Sequence, residues 1–380
     1  MKDKLGAIIL GGHIQSLGIL RILGREKIPG IVIENTAKNL ARRSKYCKGF
    51  WCKADKELLN FLIKLGRGGN YRNWVVFPSN DFHVRLLSEN KTELEQFFIV
   101  SIDHWEVIQL FYNKKNTYEL AAELDIPIVK TWFPQNETGL DGIDVPFPCI
   151  IKPAVMHTFY RQTGKKVFVC RDRVELRENY RKAAKVIPAN EVMIQEVIPG
   201  PSKNQFSACF LFLNGRTYVQ LAACRMRQHP IDYGNATTYA ETVELPILTE
   251  YGERILRAAN YNGLCEVEFK RDKRDGQYKF LEVNPRTWKW HSIANKAETP
   301  FLKAYYDFLT GKEIEPVEGY SQASFCHSVT DVPTRLQLMV GGFDYWNRKK
   351  KPVERAVWAC DDKMPWFWEK AYLPYLIINR

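Results

Sequence analysis

Two carboxylates and one amide in the second half of the sequence are the clearest candidates for chemistry. Glu268 lies in an apolar run, and a second apolar run contains Glu282 and Asn284. We predict two strands joined by the polar loop 271–277, and because side chains alternate along a strand, Glu282 and Asn284 share a face. Carboxylates on one face repel each other unless a cation separates them, and such oxygens suit Mg²⁺ or Mn²⁺ and hence nucleotide phosphates. The alternative is a pair of solvated acidic side chains on the outside of a hairpin.

The elements that must position these side chains begin near residue 113, where the composition of the sequence shifts toward a helix. Lys152 ends an apolar strand pattern directly before a proline, and Gln195 and Glu196 interrupt a second apolar strand with a polar pair. Residues 206–223 are predicted to form a hairpin, because Asn-Gly separates two apolar runs. Antiparallel strands after a parallel region indicate a separate α+β part of the chain.

The first 110 residues predict an open parallel α/β sheet, because apolar strands alternate with loops and helical patterns. Ligands of such sheets bind beyond the carboxyl ends of the strands. The polar loops at those ends are 11–16, 34–35 and 79–81. We therefore predict substrate contacts from Gly12, His13 and Asp81. The first loop lacks GxGxxG spacing, so we expect a helix N-terminus that accepts a carboxylate; a tight turn that needs glycine for its geometry alone is the other interpretation.

Length, composition and charge narrow the class of protein. The chain has 380 residues, of which 45% are hydrophobic and 26% charged, as in globular proteins of two or three domains. We find no signal peptide and no run near the ~18 apolar residues of a membrane span, so we expect a cytoplasmic protein. Nine scattered cysteines predict reduced, mostly buried thiols. A net charge of +12 fits nucleic acid, an anionic membrane or a polyanionic small molecule, and the dispersed aromatic residues do not favour nucleic acid.

Five segments in this order resemble the ATP-grasp superfamily, in particular its carbamoyl-phosphate-synthetase branch and the smaller carboxylate–amine ligases. The segments are Asn113-Lys114, CIIKPA at 149–154, MIQEVIPG at 193–200, EVEFK at 266–270 and FLEVNPR at 280–286. The resemblance covers roughly residues 110 to 310, and it makes the α/β region before them the expected partner domain.

The resemblance implies that ATP lies between two α+β subdomains. Lys114 and Lys152 would contact the phosphates of ATP, and Gln195, Glu196 and Val197 would form the hinge that meets adenine. Lysines suit this place because they neutralise the charge on the phosphoryl oxygens. A milder interpretation makes Lys114 a surface charge beside a helix.

The resemblance also implies a metal site and a catalytic arginine. Glu268, Glu282 and Asn284 would ligate Mg²⁺ (or Mn²⁺), and Arg286 would hold the transferred phosphoryl group or an acyl phosphate by a two-point contact. Arg225 is a further positive charge of the kind that such a site needs. The alternative for Arg286 is a structural ion pair with a neighbouring carboxylate.

The sequence departs from the family pattern in two places. A glycine-rich flap often follows the strand lysine, but residues 155–162 are bulkier and Gly164 stands alone. A ribose-binding carboxylate is common after the hinge, where this chain has Ser202-Lys203-Asn204.

Two segments near the metal strands have open interpretations. Residues 225–229 and 232–237 are polar and lack a core pattern, so they predict either a loop that contacts substrate or a solvated loop. Trp288, Trp290 and His291 predict either an acceptor pocket or ordinary packing, and we favour packing for the tryptophans.

We predict four parts in the chain. They are a pre-ATP-grasp α/β domain (1–112), ATP-grasp subdomain A (113–190), subdomain B with the metal site (191–315) and a basic, aromatic extension (316–380). The extension carries a basic run at 348–351 and aromatic residues at 366–368. It predicts either contact with a membrane or a lipid-linked precursor, or a C-terminal helix that packs back on the protein.

The function implied is an ATP- and Mg²⁺-dependent ligase that converts a carboxylate to an acyl phosphate and joins it to an amine. The carboxylate would lie near His13, Asp81 and Arg286. We expect small, amino-acid-like carboxylate and amine substrates, no nucleic acid partner, and leave a homodimer open. The alternative, suggested by the missing glycine flap, is a nucleotide-binding sensor or partner protein without ligase turnover.

Overall fold

A computed structural model describes residues 5–155, 159, 162–231, 236–340 and 351–378. The helices of this part are α1 (Ile14–Arg25), α2 (Leu58–Arg67), α3 (Asp81–Glu89), α4 (Lys91–Leu94), α5 (Trp105–Tyr112), α6 (Lys114–Glu123), α7 (Arg173–Ala184), α8 (Pro246–Ala258), α9 (Ala294–Ala297), α10 (Phe301–Leu309), α11 (Ser328–Val340) and α12 (Met364–Ile378). The strands are β1 (Ala7–Leu10), β2 (Gly30–Glu34), β3 (Cys47–Cys52), β4 (Val75–Phe77), β5 (Ile99–Val100), β6 (Thr131–Trp132), β7 (Cys149–Pro153), β8 (Phe168–Cys170), β9 (Val192–Glu196), β10 (Gln205–Leu213), β11 (Arg216–His229), β12 (Ala236–Thr242), β13 (Gly263–Arg271), β14 (Tyr278–Asn284), β15 (Ser324–Cys326) and β16 (Val353–Arg355).

The N-terminal region forms the predicted parallel sheet. Its strand order is β3-β2-β1-β4-β5, and every neighbouring pair is parallel. Strands β1 and β4 are buried along their whole length, which explains their uninterrupted apolar sequences. The edge strand β3 was not predicted, because its sequence CKGFWC contains a lysine and a glycine and none of its residues is buried.

Two further sheets follow the parallel one. The four-stranded sheet has the order β6-β9-β7-β8, and the seven-stranded sheet has the order β14-β13-β10-β11-β12-β15-β16. Their neighbouring strands are antiparallel, apart from the parallel pair β15 and β16. The predicted turn between β10 and β11 contains Asn214 and Gly215, whose φ angles are 53° and 78°, as an Asn-Gly hairpin requires. The predicted fold class, a parallel α/β sheet followed by an α+β part, is confirmed.

Residues 225–229, 236 and 237 do not form the predicted loop. The first segment completes β11, and residues 236 and 237 begin β12; residues 232–235 lie outside the described residues. The loop prediction failed because the polar side chains of β11 are buried against partners far away in the sequence. Arg227, for example, forms two hydrogen bonds with Asp331 of α11, at 2.7 and 2.9 Å.

The C-terminal segment packs back onto the rest of the protein. Strands β15 and β16 extend the seven-stranded sheet. Arg21 of α1 forms a buried ion pair with Asp362 at 2.9 Å, and the Arg43 guanidinium lies 3.5 Å from the ring centre of Trp368 in α12. These contacts support the packing interpretation of the aromatic extension; residues 348–350 of its basic run lie outside the described residues. Within the ranges given above, no helix has the length and hydrophobicity needed to span a bilayer.

Candidate active site

A cleft of about 1480 Å³ lies where the three sheets meet. Its walls are the loops at the carboxyl edge of the parallel sheet, strand β7 with the segment after β9, and strands β11, β13 and β14. All of the predicted site residues except Gly12 and Glu196 line this cleft. The sequence-based grouping of distant segments therefore corresponds to one place in the fold.

The predicted pair of acidic strands is formed by β13 and β14. Glu268 lies opposite Glu282, and Glu266 lies opposite Asn284 on these antiparallel strands. The Asn284 amide nitrogen lies 3.2 Å from Glu268 Oε1 and 3.3 Å from Glu266 Oε2. Strand alternation thus brings the predicted oxygen ligands together on the face that lines the cleft.

Glu266 is an unpredicted fourth member of this group. It accepts hydrogen bonds from Ser207 Oγ at 2.9 Å and from Trp290 Nε1 at 3.1 Å. Burial, reinforced by the neighbouring charge of Glu268, raises the pKa of Glu266 to about 8. The signal that could have identified it is its spacing, because residues two apart on a strand share a face. Trp290 both packs in the core and lines the cleft, while Trp288 is a core residue.

Lys114 is placed by the start of helix α6. The side chain of Asn113 caps this helix by accepting a hydrogen bond from the Lys115 backbone N–H, so Lys114 is its first residue. The Lys114 ammonium lies 2.9 Å from Glu282. Burial opposes its charge, but Glu282 outweighs burial and raises the pKa of Lys114 above its ordinary value. Burial likewise acts against the Glu282 carboxylate, yet Lys114 and Lys152 lower the pKa of Glu282 to about 2.

Lys152 is held differently. It is the fourth residue of β7, only 9% exposed, and its ammonium lies 5.5 Å from the ring centre of Tyr118. Within the described residues it forms no ion pair. Burial, followed by repulsion from Lys114, lowers the pKa of Lys152 to about 8. Its positive charge is therefore poorly compensated in the absence of a ligand.

Lys166 also lines the cleft and was not predicted. It lies two residues before β8. Burial lowers the pKa of Lys166, although Glu282 and Asp81 act in the opposite direction. Its sequence context, a Gly-Lys-Lys triplet in a polar stretch, gives no signal that separates it from a surface lysine.

Arg286 connects the metal strands to the N-terminal sheet. Its Nε lies 2.7 Å from Asp81 at the start of α3, and its Nη2 donates to Asn284 Oδ1 at 3.2 Å. Burial disfavours ionised Asp81, but Arg286 prevails and lowers the pKa of that carboxyl group. The structure thus joins Asp81 to Arg286, two residues that are 205 positions apart.

Arg225 lies on β11 and pairs with Glu268, with 3.0 Å between Nη2 and Oε2. Both side chains are almost fully buried. Lys114, Arg225 and Arg286 thus follow one pattern, in which each pairs with one carboxylate of the cleft. The proximity of the basic residues to the acidic ones was predicted only through the family resemblance.

The predicted hinge has two faces. Gln195 lines the cleft, where its Nε2 donates to Tyr118 Oη at 2.9 Å and to Thr131 Oγ1 at 2.8 Å, and Val197 lines it as well. Glu196 does not line the cleft, since its carboxylate pairs with Arg274 at 3.1 Å. Alternation along β9 separates these side chains.

Gly12 and His13 differ in what they reach. His13 lines the cleft at the N-terminus of α1, and its side chain does not cap the helix. Gly12 does not line the cleft but packs against residues 39–41. A Cβ added to Gly12 would come within 2.4 Å of Asn39 Cγ, and the Gly12 carbonyl accepts hydrogen bonds from the Leu40 and Ala41 N–H groups. Gly12 thus has a packing role, and direct contact between it and a substrate is not supported by its position.

The oxygen atoms of the cleft could serve as ligands of a small, hard cation. Glu268 and Glu282 supply carboxylate oxygens, and the amide oxygen of Asn284 accepts a hydrogen bond from Arg286 while its nitrogen faces Glu268. No group of three or more His, Cys, Asp or Glu side chains in the described ranges is arranged to hold an ion alone. Mg²⁺ is commonly bound by one or two carboxylates together with substrate phosphates and water, so this donor set fits it. The bulky flap predicted at 155–162 lies largely outside the described residues.

Comparison with known proteins finds a family match for the part of the chain that contains β13 and β14. Residues 223–303, which include Arg225, β13 and β14, match the model of the carbamoyl-phosphate synthase L chain, ATP binding domain family. A D-aspartate ligase of Enterococcus faecium (strain Aus0004) is 25% identical over 230 residues, covering 57% of this chain and 53% of that ligase. The chain thus spans about half the length of this curated relative.

Solved structures share the architecture at low sequence identity. A biotin carboxylase from Campylobacter jejuni has a TM-score of 0.66 at 15% sequence identity. The match covers 84% of this chain and 74% of the carboxylase chain. An L-amino acid ligase from Bacillus licheniformis has a TM-score of 0.60 at 14% identity and covers 83% and 79%, respectively. The segments at 113–114, 149–154, 193–200 and 266–286 thus lie around one cleft, residues 223–303 match the ATP-binding domain of the carbamoyl-phosphate synthase L chain family, and the chain shares the fold of these solved structures.

Proposed function

We propose that the chain is an ATP- and Mg²⁺-dependent carboxylate–amine ligase. The observation that carries this proposal is the set of three ion pairs around one cleft, Lys114 with Glu282, Arg225 with Glu268, and Arg286 with Asp81. A site that must accept both a polyanion and a divalent cation needs basic and acidic groups in the same place. Before these ligands arrive, the two sets neutralise each other.

In this proposal ATP binds between residues 113–190 and 191–315. Lys114 and Lys152 move onto its phosphates, while the side chains of Gln195 and Val197 and the backbone of Glu196 form the hinge beside adenine. Glu268, Glu282 and Asn284 would hold Mg²⁺, which when bound neutralises phosphate charge and orients the γ-phosphoryl group. Release of Glu282 from Lys114 is therefore coupled to nucleotide binding.

The acid substrate lies near His13, Asp81 and Arg286. The N-terminus of α1 offers backbone N–H groups to a carboxylate, and Arg286 supplies a guanidinium to the same cleft. One carboxylate oxygen attacks the γ-phosphorus of ATP, the bond from that phosphorus to the bridging oxygen breaks, and ADP leaves an acyl phosphate. Arg286 would balance the negative charge of this intermediate.

An amine completes the reaction. Its neutral nitrogen attacks the acyl carbon, the bond between that carbon and the phosphate oxygen breaks, and the nitrogen gives a proton to the departing phosphate. No covalent bond to the protein is needed. Two similar proteins, a D-aspartate ligase and an L-amino acid ligase, support a C–N bond-forming reaction on amino-acid-like substrates.

The test is formation of ADP from ATP and Mg²⁺ with a panel of amino acids and small carboxylates. We expect at least one substrate pair to stimulate ADP release, and we expect Glu282→Gln to reduce it by about 100-fold or more, as loss of a group that stabilises transition-state charge does. Glu250→Gln, which changes an exposed glutamate of α8, is the matched control. If no pair stimulates ADP release, or Glu282→Gln equals the wild type, the ligase function is wrong; Mg²⁺-dependent ATP binding without turnover would then favour a sensor or partner protein.

A further inference from the structure

The Lys270 ammonium lies in the cleft beside the hinge and has hydrogen-bonding capacity that the protein does not use. Lys270 is a half-buried residue near the end of β13, and it lines the cleft. Its Nζ donates a hydrogen bond to the Ile198 carbonyl at 2.7 Å. Among the described residues this is the one hydrogen bond of the ammonium, and no carboxylate forms an ion pair with it. An ammonium has three N–H donors, so two of them remain for a bound molecule.

The geometry of β13 explains why Lys270 faces the cleft. Strands β10 and β13 pair in unbroken register, so β13 is regular, and Glu268 and Lys270, two residues apart, point to the same face. The register shift between β13 and β14 adds a residue, Leu281, to β14 and leaves β13 unchanged. Two residues of a strand span roughly 7 Å. Lys270 therefore lies on the same wall as Glu268, one step further along it.

Ion pairs on the other side of the hinge hold that segment in place. The Glu196 carboxylate lies 3.1 Å from Arg274 and 3.6 Å from Lys279. Both basic residues also pair with Asp272, whose side chain is fully buried. The β13–β14 hairpin thus binds the hinge twice, through Glu196 away from the cleft and through Lys270 within it. The position of the Lys270 ammonium is therefore set before a ligand arrives.

The polar neighbours of Lys270 on this wall are uncharged. Ser202 lines the cleft, and its hydroxyl donates to a backbone carbonyl at 3.2 Å. Gln205 is the partner of Lys270 on β10, and its amide nitrogen donates to Glu268. Of these three side chains, Lys270 is the one that offers a charged donor. Hydrogen bonds from charged donors are stronger than those between neutral groups.

We propose that Lys270 binds the ribose of ATP by donating a hydrogen bond to one of the two ribose hydroxyl oxygens. This role rests on the proposed function, which places adenine at residues 195–197 and the phosphates at Lys114 and Lys152. The ribose joins these two parts of the nucleotide. Lys270 lies between them, because it is bound to the carbonyl of Ile198 directly after the hinge and belongs to the strand of the proposed metal ligands. Hydroxyl oxygens accept hydrogen bonds of this kind.

The test measures binding of ADP, 2′-deoxy-ADP and 3′-deoxy-ADP by calorimetry in the presence of Mg²⁺. ADP lacks the γ-phosphoryl group, so phosphoryl transfer does not disturb the measurement. We expect the wild type to bind one of the two deoxynucleotides about 10-fold or more weakly than ADP, the effect of one hydrogen bond to a charged group. Lys270→Met should weaken ADP binding to a similar extent. Lys273→Met, which changes an exposed lysine of the turn between β13 and β14, is the matched control.

The combination of variant and nucleotide separates a ribose contact from a disturbed hinge. Lys270→Met should have little further effect on the deoxynucleotide that lacks the contacted hydroxyl, whereas a disturbed hinge would weaken all three nucleotides alike. Lys270→Arg keeps a charged donor and should keep the preference for ADP. The proposal is overturned if ADP does not bind, if the wild type binds all three nucleotides equally, if Lys270→Met weakens all three by the same factor, or if Lys273→Met weakens ADP binding as much.

Turnover separates this proposal from the ligase function. If binding shows the ribose preference that depends on Lys270, but no carboxylate and amine stimulate ADP formation from ATP, the ribose contact stands and the ligase function is wrong. If a substrate pair stimulates ADP formation while the wild type binds both deoxynucleotides as tightly as ADP, the ligase function stands and the ribose contact is wrong.

Discussion

Helix α6 and strand β7 each bring one lysine to the cleft, and the two lysines are held in opposite ways. Lys114 at the start of α6 is paired with Glu282, which raises its pKa. Lys152 on β7 is buried beside Tyr118 without an ion pair among the described residues, and its pKa is lowered to about 8. One positive charge is therefore stabilised by an ion pair within the protein, whereas the other is disfavoured by burial and by its neighbour Lys114.

The same difference recurs across the cleft. Around β13 and β14, acidic and basic groups saturate each other, so a ligand must exchange partners there. On β7, by contrast, Lys152 is buried without an ion pair among the described residues. We therefore expect ligand affinity to depend most on the second region, and we expect removal of a lysine charge to change protein stability in opposite directions in the two regions.

The largest expected effect is on ATP use by Lys152→Met. This change removes the positive charge that phosphates would complete, and we expect kcat/KM for ATP to fall by about 100-fold or more. Steady-state ADP release at saturating second substrates measures it. Lys185 is exposed at the end of α7, so Lys185→Met provides the control. If kcat/KM for ATP fell equally in both variants, the distinction between the two regions would be wrong.

A smaller effect separates the two lysines by stability. At pH 7, Lys152→Met should raise the free energy of unfolding by about 1–2 kcal/mol, because a poorly compensated buried charge is lost. Lys114→Met should lower it by about 1 kcal/mol, a modest value because the Glu282 side chain is about one-third exposed. Urea unfolding curves give both values. Shifts of the same sign in the two variants would contradict the comparison.

The pH dependence of that stability gain follows from the lowered pKa of Lys152. Between about pH 8 and the ordinary value of 10.5, the unfolded chain holds a proton on this lysine that the folded chain has lost, so the penalty fades as the pH rises. The gain from Lys152→Met should thus be complete below pH 8 and absent above pH 10.5. Unfolding curves across this range test it, and a gain that does not change with pH would show that the charge is not its cause.

The smallest expected effect is proton uptake when ATP binds. Phosphates favour the charged form of Lys152, so near pH 8 the wild type should take up a fraction of one proton per bound ATP analogue. Calorimetry in buffers with different ionisation enthalpies measures this uptake. It should be lost in Lys152→Met and kept in Lys185→Met; uptake that survives in Lys152→Met would assign it to another group.

Much of the cleft could be predicted because its signals are local. Alternation along two apolar strands places Glu282 and Asn284 on one face, and the Asn214-Gly215 turn fixes the hairpin that leads to β11. The parallel sheet follows from uninterrupted apolar strands between helical patterns. In each case the physical cause acts within about ten residues.

What could not be predicted depends on distant partners. The polar residues of β11 resemble a loop in the sequence, since Asp331, which makes burial of Arg227 possible, is 104 positions away. The contribution of α11 to the cleft wall could not be predicted for the same reason. Lys166 gives no sequence signal, whereas Glu266 could have been found from its two-residue spacing to Glu268. The domain limits, the cytoplasmic location and the homodimer stay predictions.

The most direct test of the acyl phosphate step uses a carboxylate substrate labelled with ¹⁸O in both oxygens. With the substrate pair that gives the fastest ADP release, the released phosphate is analysed by mass spectrometry. If a carboxylate oxygen attacks the γ-phosphorus and leaves with phosphate after amine attack, each phosphate carries one ¹⁸O atom. Unlabelled phosphate at the same rate of ADP formation would show that ATP is cleaved by water and that no acyl phosphate forms.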